Sequence, residues 1–198
     1  MIVALAVLCY LVGSIPTGYL LFRWSEKKDI RRFGSGATGA TNVLRLKGWR
    51  SALRVAAADI AKGFLPAFAI LRVSDDPVLA AGCASLTVLG HCFPLYIGFR
   101  GGKGVATAAG AMFAVAPLAA LGSLAVFAAA VTLTRYVSLG SVLAAAFFPG
   151  FMAVFETPAR VVAASLPILA IVIIRHLGNI RRLVRGTERK LGRSEGTE

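Results

Sequence analysis

The stretch VATAAGAMFAVAPLAALGSLAVFAAAVTLTR, residues 105–135, is almost continuously apolar and decides the class of the fold. It is longer than one untilted membrane helix needs, because about 20 apolar residues span a bilayer. Pro117 interrupts it, and proline disrupts a helix interior. We therefore expect two shorter helices, one ending near Ala116 and the other running from Leu118 to Thr134, with an outer turn at Pro117.

The composition of the whole chain also indicates a membrane protein. Its 198 residues are 57% hydrophobic and its mean hydropathy is +0.75, whereas soluble domains are usually about 45–50% apolar. A net charge of +13 would suit nucleic-acid binding. However, the basic residues fall between the apolar runs, as the positive-inside rule expects. We therefore predict an integral membrane protein that is surrounded by membrane lipid and does not bind nucleic acid.

The apolar runs predict an all-α, polytopic protein with seven transmembrane helices. Lys and Arg collect in residues 23–54 and in the tail from residue 175, which places the N-terminus outside and the C-terminus in the cytoplasm. We expect one membrane-embedded domain over residues 1–193 and a disordered polar tail over residues 194–198. The predicted spans cover residues 2–22, 52–71, 78–95, 105–116, 118–134, 138–155 and 160–174.

Residues 34–45, GSGATGATNVLR, form a poor core sequence but a good anion site. Gly34 and Gly36 allow positive φ and can present backbone N–H groups. Arg45 adds a bidentate guanidinium. Further donors come from Ser35, Thr38, Thr41 and Asn42. We expect this stretch to bind phosphate.

Two other clusters fall on the same predicted face of the membrane. Residues 101–104, GGKG, precede a helix starting near Val105, so a phosphate could meet backbone N–H groups, the helix dipole and Lys103 together. The loop lacks the spacing of a Walker A motif, so ATP binding is not supported. In residues 175–188, His176 and Asn179 share a helix face and could orient a phosphate or a reacting hydroxyl, while Glu188 suits a structural partner for arginines. The three clusters together predict a polyanion site.

Other candidate residues have a structural reading beside the functional one. Asp59 and Lys62 lie three apart on a helix and suit either an ion pair or a ligand role. His91 suits either a packed hydrogen-bonding residue or a catalyst. Neither histidine forms a recognisable triad with a nucleophile, so an enzyme here would act by holding two anionic substrates in line. The scarce carboxylates give no reason to expect a metal or cofactor.

Five motifs follow one another over nearly the whole chain. They are Gly34-Ser35-Gly36 with Gly39-Ala40-Thr41-Asn42 and Arg45, Asp59-x-x-Lys62-Gly63, Gly90-His91-x-Phe93-Pro94, Phe99-x-Gly101-Gly102-Lys103-Gly104, and His176-x-x-Asn179-Ile180-x-Arg182-Leu183-x-x-Gly186-x-Glu188. As a set they resemble the bacterial acyl-phosphate glycerol-3-phosphate acyltransferases, the PlsY family. One departure is Ala37, where the family usually has Asn, which puts any role of that Asn in doubt.

The resemblance implies a multi-pass enzyme of the bacterial inner (plasma) membrane with its active site on the cytoplasmic face. It would move an acyl group from acyl phosphate to the 1-hydroxyl of glycerol 3-phosphate, giving lysophosphatidic acid and phosphate for phospholipid synthesis. Phosphotransfer on a lipid phosphate and transport of phosphorylated molecules stay as alternatives. The expected catalytic residues are Ser35, Arg45, Lys103, His176 and Asn179; the expected substrate-binding residues are Gly34, Gly36, Thr41, Asn42, Lys62, His91, Gly101, Gly102, Gly104 and Arg182; Asp59 and Glu188 are expected to be structural.

Overall fold

The computed structural model describes residues 2–192, and this part of the chain contains helices and no strand. The predicted all-α class is therefore confirmed, while the predicted tail of residues 194–198 lies outside the described range. Two short 3-10 turns, Ile30–Arg32 and Leu95–Ile97, occur in loops. The α-helices are α1 (Ile2–Gly13), α2 (Thr17–Glu26), α3 (Ala40–Ser74), α4 (Pro77–Cys92), α5 (Val105–Val115), α6 (Pro117–Thr134), α7 (Val137–Val154) and α8 (Ala159–Val184).

Five stretches of the described chain are long and apolar enough to cross a membrane. They support a multi-pass membrane protein. Helix α5 is apolar but has only 11 residues, and α3 has 35 residues with buried charges in its second half. The count of seven spans and the orientation of the termini stay predictions. The five stretches are Ile2–Glu26, Pro77–Ile97, Pro117–Thr134, Val137–Val154 and Ala159–Val184.

Helix α3 begins twelve residues before the predicted start at residue 52. Residues 40–47 join the helix because Ala, Leu, Arg and Lys favour helical backbone. Gly48, with φ of 75° and ψ of −179°, kinks the helix at a conformation that only glycine adopts readily. The glycine-rich segment 34–39 therefore leads straight into a helix, and the polar residues that follow it lie on that helix's first turns.

Helix α8 ends ten residues later than the predicted boundary at residue 174. It continues to Val184 because the basic segment is rich in Arg, Leu and Ile, which helices accommodate well. This extension carries His176 and Asn179 on one buried face, as their spacing predicted. Residues 185–192 then turn back, and the N–H of Leu191 donates to the carbonyl of Arg135 at 2.7 Å.

The predicted division of residues 105–134 into two helices is confirmed. Helices α5 and α6 are separated only by Ala116, and Pro117 occupies the first turn of α6. Beyond this turn the two helices diverge, because α6 packs chiefly on α7 while α5 packs chiefly on α3. Helix α7 packs on α8, α8 on α4, and α4 on α5. The helices therefore form an arc around a cleft that narrows towards Ala116.

Glycines let the helices on the α3 side of this arc approach closely. A Cβ at Gly63 would lie 2.0 Å from the carbonyl oxygen of Thr107, and one at Gly110 would lie 2.0 Å from that of Ile60. These contacts pin α5 to α3 along its length. Small residues allow such van der Waals packing in a bilayer, where the hydrophobic effect does not drive helices together.

Candidate functional site

The cleft contains a cavity of about 390 Å³ whose two ends differ in chemistry. Polar and cationic residues line the end at the loops before α3 and α5 and after α8. Alanines, phenylalanines and other apolar residues from α5, α6, α7 and α8 line the remainder. Ile60 and Leu124 line the cavity yet are 42% and 47% exposed, so one side of the cleft is open at the apolar surface of the helices. The polar end is formed by Ser35, Thr41, Asn42, Arg45, Lys103, His176, Asn179 and Glu188.

Asn42 holds the glycine-rich segment in place. Its Oδ1 accepts from the backbone N–H of Ser35 at 2.9 Å, and its Nδ2 donates to the carbonyls of Phe33 and Ala37 at 3.2 and 2.8 Å. Gly34 has φ of +58°, and a Cβ there would lie 2.3 Å from the Asn42 Oδ1. The segment therefore wraps around a buried amide, and Ser35 is presented at the cavity.

Arg45 lies one turn after Thr41 on α3, and both line the cavity. Gly39 caps this helix with extended backbone at φ of −81°. The first turn of a helix leaves backbone N–H groups without intrahelical partners and carries the positive end of the helix dipole. The start of α3 therefore adds a favourable environment for an anion beside the Arg45 guanidinium.

Lys103 is fixed across the cavity by α8. Its Nζ donates to Asn179 Oδ1 at 2.7 Å, and Asn179 Nδ2 donates to Glu188 Oε1 at 2.6 Å. Burial lowers the pKa of Lys103 to about 8, and nearby guanidinium groups, that of Arg45 included, act in the same direction while Glu188 opposes them. An anionic ligand would stabilise the ammonium and relieve this mutual repulsion.

Glu188 ties the segment after α8 to two helices. Ser138 at the start of α7 donates to its Oε1 at 2.8 Å, and Arg182 Nε donates to its Oε2 at 2.7 Å. Burial acts to raise the pKa of Glu188, but hydrogen bonds from Asn179, Ser138 and Arg182 outweigh it and hold that pKa below its usual range. The carboxylate therefore stays ionised, which fits its expected structural role.

His176 presents a single ring nitrogen to the cavity side. Its Nδ1–H donates to the carbonyl of Val172 at 2.8 Å, one turn earlier in α8. Because a carbonyl only accepts, this bond leaves Nε2 of the neutral ring as a hydrogen-bond acceptor. The ring is buried and lines the cavity. It can therefore accept a hydrogen bond from a hydroxyl held beside it.

The loop of residues 101–104 packs on the end of α4. The N–H groups of Gly101 and Gly102 donate to the carbonyls of Cys92 and His91 at 3.2 and 3.1 Å. These two N–H groups are therefore engaged within the protein and are not offered to a ligand as the sequence suggested. The carbonyls of the same glycines accept from Arg175, whose guanidinium also lies 5.1 Å from the ring centre of Phe93. The loop is thus clamped between α4 and α8, and Lys103 and Gly104 face the cavity.

A buried charged cluster lies behind this loop. Asp59 Oδ1 is 2.8 Å from Lys62 Nζ and 3.5 Å from His91 Nδ1, and it accepts from Thr17 Oγ1 at 2.5 Å. Lys62 also donates to the carbonyl of Ile15 at 2.8 Å. Such mutual compensation is what a carboxylate inside a membrane protein requires. The cluster joins α2, α3 and α4, and of its members only Asp59 and His91 line the cavity.

Residues from all three sequence clusters line this one cavity, but not every expected site residue reaches it. Polar residues missed by the sequence analysis also line it, namely Ser123, Ser138, Ser141, Ser165 and Arg189. Arg189 had a signal, since it adjoins Glu188 in a basic segment, whereas Ser138 is a single serine at a helix start and had none. The expected ligands that are not cavity-lining among residues 2–192 are Gly34, Gly36, Lys62, Gly101, Gly102 and Arg182.

Comparison with known proteins gives one consistent result. A family model described as glycerol-3-phosphate acyltransferase matches residues 3–186. A glycerol-3-phosphate acyltransferase of Geobacter sulfurreducens is 46% identical over 188 residues, which cover 94% of this chain and 95% of the relative. One from Clostridioides difficile is 43% identical over 98% of this chain and 97% of its own.

Two solved structures share the fold. Both are crystal structures of PlsY (YgiH), an integral membrane glycerol 3-phosphate acyltransferase, and both are 38% identical to this chain. The glycerol 3-phosphate form superposes with a TM-score of 0.91 over 96% of each chain. The lysophosphatidic acid form gives 0.88 over 96% of this chain and 95% of the other.

Proposed function

Because the chain belongs to the glycerol-3-phosphate acyltransferase family, we propose that it transfers a fatty acyl group from acyl phosphate to the sn-1 hydroxyl of glycerol 3-phosphate. The products are lysophosphatidic acid and inorganic phosphate, and the reaction serves phospholipid biosynthesis. The enzyme works in the bacterial inner membrane with its active site at the cytoplasmic face, and residues 1–193 act as one domain.

The observation that supports this proposal is a single cavity with a cationic end and an apolar end. Arg45 and Lys103 supply positive charge where the loops meet, and helices α5 to α8 supply apolar walls beyond. A reaction between two phosphorylated molecules, one of them carrying a long acyl chain, needs both environments within one site. The lipid-facing side at Leu124 gives the chain a route from the bilayer.

Each residue of the polar end has a role that follows from its position in the cavity. Arg45 binds a phosphate through its guanidinium fork, together with donors from Ser35, Thr41 and the first turn of α3. Lys103 and the first turn of α5, which Gly104 precedes, bind the second phosphate near the reacting carbonyl. His176 Nε2 accepts a hydrogen bond from the glycerol hydroxyl and Asn179 holds Lys103 in position.

Acyl transfer is direct and substrate-assisted. The sn-1 hydroxyl oxygen bonds to the acyl carbonyl carbon, the bond from that carbon to the phosphate oxygen breaks, and the departing phosphate takes the hydroxyl proton. The acyl phosphate is already an activated mixed anhydride, so no covalent acyl-enzyme is needed. Lys103 and Ser35 stabilise the charge that develops on the carbonyl and phosphate oxygens.

The first test is turnover by the purified protein in detergent or lipid mesophase. Glycerol 3-phosphate is offered with palmitoyl phosphate, palmitoyl-CoA or palmitoyl carrier protein, and lysophosphatidic acid and phosphate are detected. We expect product from palmitoyl phosphate alone. Product from none of the donors would overturn the proposal and direct attention to lipid phosphate release or to transport of glycerol 3-phosphate in sealed vesicles.

A second experiment tests the direct mechanism. Intact-protein mass spectrometry after rapid quenching should show no acylated enzyme while product accumulates, and a trapped acyl-Ser35 would replace direct transfer with a two-step mechanism.

Arg45→Ala should lower kcat/KM by about 100-fold, as expected for a lost charged contact to a phosphate. Arg160→Ala is the matched control, since Arg160 is exposed at the other end of α8.

A further inference from the structure

The apolar end of the cavity is closed by buried core residues on α6, α7 and α8. On α6 the last lining residue is Ala120, and on α7 it is Phe148. The inward-facing residues one turn further, Ala116 and Met152, are 7% and 0% exposed and belong to the buried core. On α8 the lining ends at Ser165, and Val161, one turn further, is 1% exposed in the same core.

Chain connectivity explains why the cleft ends at this level. Helices α5 and α6 diverge from a turn of one residue, Ala116, so the space between them falls to nothing as the turn is approached. A methyl group at Ala120 and the ring of Phe148 stand at the narrow end. A larger side chain at position 120 would make the cleft shallower, and a smaller one at position 148 would make it deeper. Neither change would touch the polar end.

The depth can be measured along the helices. Asn179 at the polar end and Ser165 at the closed end are separated by about 21 Å along α8, from a rise of 1.5 Å per residue. The lining residues of α6, from Ala120 to Phe127, extend over about 10 Å, and those of α7, from Val137 to Phe148, over about 16 Å. The cleft is therefore deepest along α8, where its length is about that of an extended long-chain fatty acyl group.

We propose that Ala120 and Phe148 set the longest acyl chain that the enzyme accepts, by forming the floor of the cleft. This inference rests on the proposed acyltransferase function and adds its specificity determinant. A chain that reaches the floor fills the cleft, whereas a longer one must displace close-packed core residues or bend out towards lipid. Each methylene beyond the limit should therefore reduce kcat/KM by about tenfold or more.

The test is a competition in which one reaction contains glycerol 3-phosphate with equal amounts of myristoyl, palmitoyl, stearoyl and arachidoyl phosphate. The chain lengths of the lysophosphatidic acids formed are measured by mass spectrometry at low conversion. Ala120→Leu raises the floor and should shift the product towards shorter chains, by about 100-fold or more between neighbouring donors beyond the new limit, because these differ by two methylenes. Ala125→Leu is the same change on an exposed, non-lining position of α6 and should leave the distribution unchanged.

The opposite change lowers the floor. Phe148→Ala should shift the product towards stearoyl and arachidoyl chains, and Phe147→Ala is its control because Phe147 is 55% exposed and does not line the cavity. Myristoyl phosphate alone, the shortest donor, reports whether each variant is folded and active. A variant that uses it normally yet keeps the wild-type distribution would overturn the floor assignment.

The floor assignment and the proposed acyltransferase function would fail in different ways. If the wild-type protein forms lysophosphatidic acid but none of the cavity variants changes its chain lengths, the floor assignment is wrong and the proposed function stands. If the wild-type protein forms no product from any acyl phosphate, the proposed function itself fails. A shift in opposite directions for Ala120→Leu and Phe148→Ala, with both controls unchanged, is the result we expect.

Discussion

Lys103 shows how much a single environment can alter one side chain of this protein. In sequence it is one of 22 basic residues. In the structure it is half-buried, bonded to Asn179 and surrounded by guanidinium groups, so its pKa falls to about 8. The structure also alters the interpretation of Asn42. The sequence suggested a ligand donor, but the amide oxygen and nitrogen of Asn42 are engaged in holding residues 33–37.

The lowered pKa of Lys103 predicts a pH dependence. The ammonium is the form that binds phosphate, and it is lost as the pH rises through about 8. The kcat/KM of the wild-type protein, which reports the free enzyme, should therefore decline above that pH. Lys103→Arg should remove this decline because a guanidinium stays charged, and Lys103→Ala should lower kcat/KM by about 100-fold or more. A decline at the same pH in Lys103→Arg would assign it to another group.

The loop that carries Lys103 is positioned by elements rather than by its own sequence. Its two leading glycines lie against the end of α4, and Arg175 of α8 donates to their carbonyls from the other side. A Cβ at Gly102 would lie 2.1 Å from Nε2 of the buried His91 ring, which itself lies 3.5 Å from the Asp59 carboxylate. The glycine is therefore required by packing, and the buried charged cluster acts on the site through that ring.

Gly102→Ala should reduce kcat/KM by about tenfold or more, because either the His91 ring or the loop must move. The double variant Gly102→Ala with His91→Ala should lose less activity than the two single effects combined, since removing the ring provides the space. Gly82→Ala on α4 is the control: the position has no neighbour within 4 Å and an added methyl favours helix. Strict additivity in the double variant would contradict the steric explanation.

At the scale of the whole molecule, the site exists only because distant parts of the chain meet. Residues 34–45, the loop before α5 and the segment after α8 line the same cavity. Their charges fit one membrane face, since the acidic Asp75, Asp76 and Glu156 lie in the turns at the other ends of the helices. The predicted orientation therefore has these acidic turns outside and the site inside.

Cysteine labelling tests that orientation. Cys9, Cys83 and Cys92 are buried, so the native protein should react little with a membrane-impermeant maleimide. Ser74→Cys should react in intact cells, whereas Ser25→Cys and Thr187→Cys, which are also exposed, should react only after the membrane is permeabilised. The reverse pattern would place the cavity outside. Equal reactivity of Ser74→Cys and Ser25→Cys in intact cells would contradict the predicted membrane span between these two positions.

The sequence by itself determined the features that depend on local composition. Apolar length predicted membrane helices, Pro117 predicted the division of residues 105–134, and the spacing of His176 and Asn179 predicted a shared helix face. These succeed because helix breaking and hydrophobic burial depend on residues close in the chain. The motif pattern also carried the resemblance to a family, which the comparisons bear out.

The tertiary structure decided which of those residues meet and what each of them contacts. The bonds of Lys103 to Asn179 and of Ser138 to Glu188 join residues 76 and 50 positions apart in the chain. The closed end of the cleft depends on which helices α5 and α6 pack against, and no local sequence pattern specifies that packing. Gly101 and Gly102, which the sequence analysis assigned to phosphate, lie against the end of α4, where a Cβ would not fit. The sequence could not distinguish these roles, because both require a residue without a Cβ. Only the neighbouring atoms distinguish them.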